Sequence, residues 1–167
     1  TGFNGALVQM FNHGIITGGM FLLVGVLYDR AHTRQLDRFG GLSGQMPVYA
    51  FFLSLCALAS LGLPGLSGFV GEFLSLFGSF EAFRSLTMIA ALGLIATAGC
   101  FLYMMQKVLL GPLNPQCVQY PDMNAREVFT LAPLVIVIFV VGIYPASVLQ
   151  FQDVAVAALM RVLGGAS

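Results

Sequence analysis

The chain has 167 residues, of which 58% are hydrophobic and only 8% are charged, and its formal net charge is zero. Soluble domains carry about 25% charged residues, so this composition excludes an ordinary water-exposed surface and predicts an all-α integral membrane protein. The zero net charge leaves no electrostatic basis for binding nucleic acid.

Four apolar segments reach the length of about 20 residues that a membrane span needs. We predict transmembrane helices over about residues 5–28, 48–77, 86–110 and 128–149. The C-terminal tail, 151–167, is predicted to form a short amphipathic helix, with Val154, Ala158 and Val162 on its apolar face.

The second segment is predicted to be a discontinuous helix. As one straight helix, its roughly 30 residues would extend about 45 Å, against a hydrocarbon core of about 30 Å. Pro64 lacks a backbone donor, and Gly65 and Gly68 permit unwound backbone. Because non-helical backbone at membrane depth is tolerated only inside protein or beside a water-filled cavity, we expect this break to face the bundle interior, as at transporter ion sites.

Basic residues indicate the orientation in the membrane. Five of the seven lie in or at the edge of the loops after the first and third helices, namely Arg30, Arg34, Arg38, Lys107 and Arg126. Since positive charge accumulates in cytoplasmic loops, we expect these loops in the cytoplasm and both chain ends on the opposite side.

Glu72 is the only acidic residue well inside an apolar segment, and it follows the predicted break by about one helical turn. An ionisable group inside a membrane is costly unless it is neutralised or paired, so it marks a functional site by default. Burial and the N-terminus of the second half-helix have opposite effects on its charge, which suits a carboxyl group that takes up and releases a proton. The structural alternative is a protonated Glu72 bonded to a carbonyl of the broken helix.

Polar side chains also line one face of the first helix. Gln9, His13 and Thr17 recur every four residues and therefore stack, and inside a membrane each needs a partner or water. Because histidine titrates near neutral pH, we interpret the stripe as a proton relay, with structural hydrogen bonding as the alternative.

Three further residues are weaker candidates. Tyr103 and Lys107 share a face of the third helix and either hydrate the cytoplasmic end of a proton path or anchor the helix at the membrane interface. His32 lies in a charged loop, where a solvated side chain is the default interpretation.

Other chemistry is not indicated. Cys56, Cys100 and Cys117 lack the spacing of metal or redox sites and are interpreted as buried small apolar residues. Since the sequence contains no nucleophile–base pair, metal cluster, phosphate loop or haem motif, we predict that this chain binds no cofactor or metal and performs no redox step itself.

Three stretches carry a family resemblance. The chain resembles the C-terminal part of the NuoM-type antiporter-like subunits of respiratory complex I, bacterial counterparts of mitochondrial NADH dehydrogenase subunit 4, in "QMFNHGIITGGMFLLVGVLYDRAHTRQLDRFGGL", "MPVYAFFLSLCALASLGLPGLSGFVGEF" and "NAREVFTLAPLVIVIFVVGIYP". The glutamate of "GEF" favours resemblance to the NuoM type, since the related NuoL and NuoN subunits have a lysine at the homologous position.

The resemblance implies a 14-helix fold with two inverted repeats, each containing a broken helix, of which this chain would form the last four helices. It implies that Glu72 is the terminal protonation site, that His13 belongs to a central polar axis and that His32 matches a loop histidine of less defined role. The first repeat is absent from this sequence, so we expect a fragment or one part of a split polypeptide.

By resemblance, the function is that of a proton-translocating membrane-arm subunit of a proton-pumping NADH:quinone oxidoreductase in the bacterial inner (cell) membrane. Partners would be lipid, other membrane-arm subunits and the missing N-terminal part, with quinone, FMN and iron–sulfur clusters in partner subunits. The alternatives are a homologous subunit of a multisubunit Na+/H+ antiporter or membrane-bound hydrogenase, and a non-transporting scaffold that would tolerate Glu72→Leu.

Overall fold

A computed structural model describes residues 2–164 of the chain, with side chains through residue 162. In this range the backbone forms seven α-helices, joined by turns and two single-turn 3-10 helices, and no strand. The helices are α1 (Gly2–Ala31), α2 (Leu42–Gln45), α3 (Pro47–Ser60), α4 (Ser67–Phe80), α5 (Arg84–Leu109), α6 (Ala125–Ile143) and α7 (Ala146–Gly164).

The spanning elements lie in the four predicted segments. Within residues 2–164, α1, α5 and α6 are each long and apolar enough to cross a membrane. α3 and α4 have 14 residues each and are the two halves of a further segment interrupted at its centre. The predicted all-α membrane fold with four spans, of which the second is discontinuous, is therefore confirmed.

Gly62 ends α3. It has a left-handed backbone with φ of 68°, which a glycine adopts without a steric penalty. The amide of Gly62 donates to the carbonyl of Ala59 at 3.2 Å, and the amide of Leu63 donates to the carbonyl of Leu58 at 3.1 Å. These two bonds form the Schellman motif that closes helix C-termini.

Pro64 and Gly65 then form the turn that leads into α4. The amide of Leu66 donates to the carbonyl of Leu63 at 3.0 Å, and Gly65 has φ of 96°. Both features are those of a type II turn, with proline at its second position and glycine at its third. Gly68 differs from the prediction because it lies in the first turn of α4. Its missing side chain instead permits close packing, since an added Cβ would overlap the carbonyl oxygen of Ala59.

The predicted helix over 128–149 is too long at its C-terminal end, because α6 ends at Ile143. Tyr144 has φ of −126° and ψ of 71°, so its backbone is not helical. The following proline explains this, because the residue before a proline is disfavoured in the helical region. Pro145 also has no amide with which to continue the helical hydrogen bonds. The sequence "YP" therefore separates two helices.

α7 begins directly after this break and is longer than the short helix predicted for the tail. Val154 and Val162, on the predicted apolar face, are 79% and 73% exposed. One contact with α1 is polar, since Asn4 Nδ2 donates to Asp153 Oδ1 at 3.0 Å. Residues 165–167 of the predicted tail lie outside the described residues.

α1 packs most extensively on α4. Glycines allow the close approach: a Cβ added at Gly5 would lie 2.5 Å from the amide nitrogen of Ser75, and one added at Gly71 would lie 2.8 Å from Cα of Gln9. The two backbones therefore meet directly along the half-helix that carries Glu72.

At the opposite end of α1, Arg30 connects several elements. Its guanidinium binds both carboxylate oxygens of Glu127 at 2.9 and 3.1 Å and donates to the carbonyls of Pro121 and Asp122 at 2.8 and 3.1 Å. The Asp122 carboxylate in turn accepts from the amide of Val48, at the start of α3, at 2.9 Å. The two basic loops therefore meet at one end of the bundle.

α5 lies at the periphery, and its most apolar stretch contains no buried residue. Cys100 is accordingly exposed, which corrects the expectation that all three cysteines are buried, whereas Cys56 and Cys117 are buried. α5 joins the apolar core near its C-terminus, through Val108 and Leu109.

Candidate functional site

The polar stripe of α1 faces a cavity. Gln9, His13 and Thr17 all line it, as their four-residue spacing on a helix requires. The cavity has a volume of about 230 Å³ and lies between α1, the end of α3, the start of α4 and the middle of α5. The helix ends on either side of the break therefore border this cavity through Ser60 and Gly68. Residues 63–65 of the break itself are exposed, which differs from the expectation that the break faces the bundle interior.

Glu72 lines the same cavity from α4. Its side chain is partly buried and turns back towards the break, where a Cβ added to Gly62 would overlap Glu72 Oε2. The glycine that ends α3 therefore also leaves the space that the carboxyl group occupies.

Two hydroxyl groups complete the polar lining. Ser60 Oγ donates to the carbonyl of Cys56, and Thr97 Oγ1 donates to that of Gly93, each at 3.0 Å. A hydroxyl oxygen that donates once keeps two lone pairs for acceptance. The polar residues around the cavity are thus Gln9, His13, Thr17, Ser60, Glu72 and Thr97.

This arrangement suits the movement of protons. His13 and Glu72 each have a side chain that can hold a proton, and no hydrogen bond among residues 2–164 joins them directly. Because a water molecule takes about 30 Å³ of liquid volume, a cavity of about 230 Å³ has room for several waters between them. Water in this cavity, together with the lining hydroxyls, would supply a hydrogen-bonded chain of the kind along which a proton passes.

Three predicted residues lie outside this cavity. Lys107 Nζ lies 3.4 Å from Asp37 Oδ1 and 5.7 Å from the ring centroid of Tyr103. This pairing holds the end of α5 to the loop after α1. His32 follows α1 directly and has φ of 51°, and its ring packs edge-on against Tyr28 at 6.1 Å.

Asn12 is a buried polar residue that the four-residue pattern overlooks. It is 1% exposed, and its Nδ2 donates to the carbonyl oxygen of Ser67 at 2.6 Å. Helix residues three apart also share a face, so the spacing from Gln9 to Asn12 was a usable signal. Ser60 and Thr97 had no such signal, because they enter the cavity from other helices.

Comparisons with known proteins agree with this architecture. The family described as "NADH:quinone oxidoreductase/Mrp antiporter, TM" matches residues 1–98. Respiratory complex I from Thermus thermophilus with bound NADH contains a chain with a TM-score of 0.79 and 35% identity to this one, over 87% of this chain and 31% of that chain.

Similar curated sequences carry related names. NADH-quinone oxidoreductase subunit M from Rickettsia bellii is 41% identical over 161 residues, which cover 96% of this chain and 33% of that protein. The subunit M from Rhodobacter capsulatus is also 41% identical over 161 residues, which cover 96% of this chain and 31% of that protein. NADH-ubiquinone oxidoreductase chain 4 from Arabidopsis thaliana is 37% identical over 96% of this chain and 32% of its own. The chain thus spans about a third of the length of these relatives. It belongs to the NADH:quinone oxidoreductase/Mrp antiporter transmembrane family, as the motifs predicted.

Proposed function

We propose that this chain forms part of a proton-translocating membrane-arm subunit of an NADH:quinone oxidoreductase, in which Glu72 exchanges protons at a broken transmembrane helix. The observation that carries the proposal is the cavity shared by Glu72 and His13, because it joins two titratable side chains beside interrupted backbone. The names of the similar proteins support the same assignment.

Proton transfer runs from His13 to Glu72. An imidazolium at His13 gives its proton to the hydrogen-bonded chain of water and hydroxyls, and a carboxylate at Glu72 accepts one from the other end. Glu72 then releases the proton when the charge or hydration around the break changes. Release is directed away from the basic loops, which we place in the cytoplasm because Arg30, Lys107 and Arg126 lie at that end.

The proposal assigns the electron chemistry to other subunits. In it, quinone, FMN and iron–sulfur clusters belong to partner chains of the complex, and this chain contributes only proton movement. Its partners are the other membrane-arm subunits and the remainder of the same subunit. Its location is the bacterial inner membrane, a placement supported by the bacterial origin of the Rickettsia and Rhodobacter relatives.

Glu72→Gln in the assembled complex tests the proposal. The amide keeps the shape of the side chain but cannot accept a proton, so we expect the complex to assemble and proton pumping to fall by about tenfold or more. Pumping is followed by quenching of a pH-sensitive dye in inverted membrane vesicles, and assembly by native gel electrophoresis.

Glu81→Gln is the matched control, because it makes the same change in an exposed residue just beyond α4, and it should pump normally. Full pumping by the Glu72→Gln complex would refute the proposal. Normal pumping by a Glu72→Leu complex would favour a scaffold, since an apolar side chain cannot carry protons.

His13 is tested separately. His13→Ala should lower pumping less than Glu72→Gln does, because water admitted by the smaller side chain can replace the imidazole in the chain. His13→Gln fills the space without a titratable group and should be the more damaging of the two. Wild-type pumping in both variants would mean that the His13 imidazole has no part in transport.

A further inference from the structure

A single hydrogen bond between side chain and backbone joins α1 to the beginning of α4. Asn12 Nδ2 donates to the carbonyl oxygen of Ser67 at 2.6 Å, and both residues are 1% exposed. Ser67 is the first residue of α4. A carbonyl oxygen has two lone pairs, so it accepts this bond in addition to the one that continues the helix.

This bond is the specific polar element of a tightly packed interface. Next to it, Gly71 lies so close to α1 that an added Cβ would be 2.8 Å from Cα of Gln9. Close packing of this kind fixes the distance between two helices. A buried hydrogen bond also fixes register, because breaking it leaves a donor without a partner.

The position of the bond relates it to the candidate site. His13 follows Asn12 directly on α1, and Glu72 lies in the second turn of the helix that Ser67 begins. A shift of α4 along α1 would move the Glu72 carboxyl relative to both His13 and the space left by Gly62. The Asn12 amide therefore restrains the geometry of the cavity from outside its lining.

We propose that Asn12 is a positioning residue, whose amide N–H sets the register of α4 and thereby the relation of Glu72 to His13. The inference rests on the proposed function for its effect on transport, whereas the restraint on α4 stands independently of it. The restraint requires a hydrogen-bond donor at position 12, and an apolar side chain of the same size cannot provide it.

Two substitutions of nearly equal size distinguish the need for a hydrogen-bond donor from the need to fill the space. Asn12→Leu fills the space without a donor. Asn12→Asp supplies a donor only while the introduced carboxyl is protonated, since an ionised carboxylate would repel the carbonyl oxygen of Ser67. We expect Asn12→Leu to lower proton pumping about tenfold at every pH and Asn12→Asp to approach wild-type pumping as pH is lowered. Asn4→Leu, the same change elsewhere on α1, is the control and should pump normally.

Hydrogen–deuterium exchange of the detergent-solubilised complex measures the restraint directly. Relative to wild type at the same pH, the amides of residues 70–74, the first in α4 that have helical acceptors, should exchange severalfold faster in Asn12→Leu. In Asn12→Asp they should do so only at the alkaline end. Wild-type exchange in Asn12→Leu, or no recovery of Asn12→Asp at the lowest pH tested, would overturn the inference. Neither outcome bears on Glu72→Gln, whose normal pumping would refute the proposed function alone.

Discussion

The carboxyl group of Glu72 lies directly against Cα of Gly62, so closely that a Cβ at Gly62 would overlap Glu72 Oε2. The same glycine ends α3 with a left-handed backbone. One residue thus serves both to interrupt the helix and to leave space for the acidic side chain. The helix break and the acid are therefore a single structural unit.

Gly62→Ala should disturb this unit in two ways. Left-handed backbone at alanine costs about 1 kcal/mol or more, and the new methyl group displaces the Glu72 carboxyl. Gly65→Ala is the matched control, because its φ of 96° imposes comparable strain while an added Cβ meets no atom of residues 2–164 within 4 Å.

We expect both variants to lose thermal stability, but only Gly62→Ala to lose most of its proton pumping. Dye quenching in inverted vesicles, normalised to the amount of assembled complex, measures the difference. Equal pumping by the two variants would mean that the contact between Gly62 and Glu72 has no part in transport.

His32 is expected to act as a helix cap. Its φ of 51° is uncommon outside glycine, and its amide donates to the carbonyl of Tyr28 at 2.8 Å, as in C-terminal capping by a left-handed residue. His32→Gly should therefore stay within about 1 kcal/mol of wild-type stability and keep pumping, whereas His32→Val should lose about 1–3 kcal/mol. Thermal unfolding of the solubilised complex provides the comparison. Loss of pumping in a stable His32→Gly variant would instead assign the imidazole to the proton path.

The local features of the candidate site were predictable from the sequence. Proline followed by glycine specifies a turn, and a polar residue at every fourth position of a helix specifies a face. The prediction was incomplete at Gly62, because several glycines surround Pro64 and the choice of the one that turns left-handed depends on where α3 ends. Packing against the rest of the bundle decides that point.

The long-range contacts were not predictable. Asn12 and Ser67 are separated by 55 residues, and Arg30 and Glu127 by 97. Periodicity places each side chain on a face of its own helix, but the partner depends on how the helices pack. The end of α6 was missed for a different reason, since the apolar character continues past Pro145 and only backbone geometry ends the helix there.

Asp122 should stabilise α3 from a distant loop. Its carboxylate accepts from the amides of Val48 and Tyr49 at 2.9 and 3.1 Å, which have no helical acceptor at a helix N-terminus. Loss of such a cap costs about 1–2 kcal/mol, so Asp122→Ala should unfold at a lower temperature and Asp122→Asn should lie between it and wild type. Asp37→Ala is the control, because its exposed pair with Lys107 is expected to contribute less than about 1 kcal/mol. A similar loss in both alanine variants would contradict the capping role.

The ion pair between Arg30 and Glu127 should be the strongest of the polar contacts that hold the two basic loops together. The side chains are 9% and 14% exposed, so removal of one partner leaves a largely buried charge uncompensated. Arg30→Met and Glu127→Gln should therefore each destabilise the protein by about 3 kcal/mol. Thermal unfolding of the solubilised complex measures both.

The double variant Arg30→Met with Glu127→Gln distinguishes pairing from other contributions. Since it removes both charges, it should be more stable than the sum of the single effects predicts. The double variant should still be less stable than wild type, because Arg30 also donates to the carbonyls of Pro121 and Asp122. High salt should change the contribution of this pair little, whereas it should weaken the exposed pair of Lys107 and Asp37. Strictly additive effects in the double variant would mean that Arg30 acts through the backbone carbonyls alone.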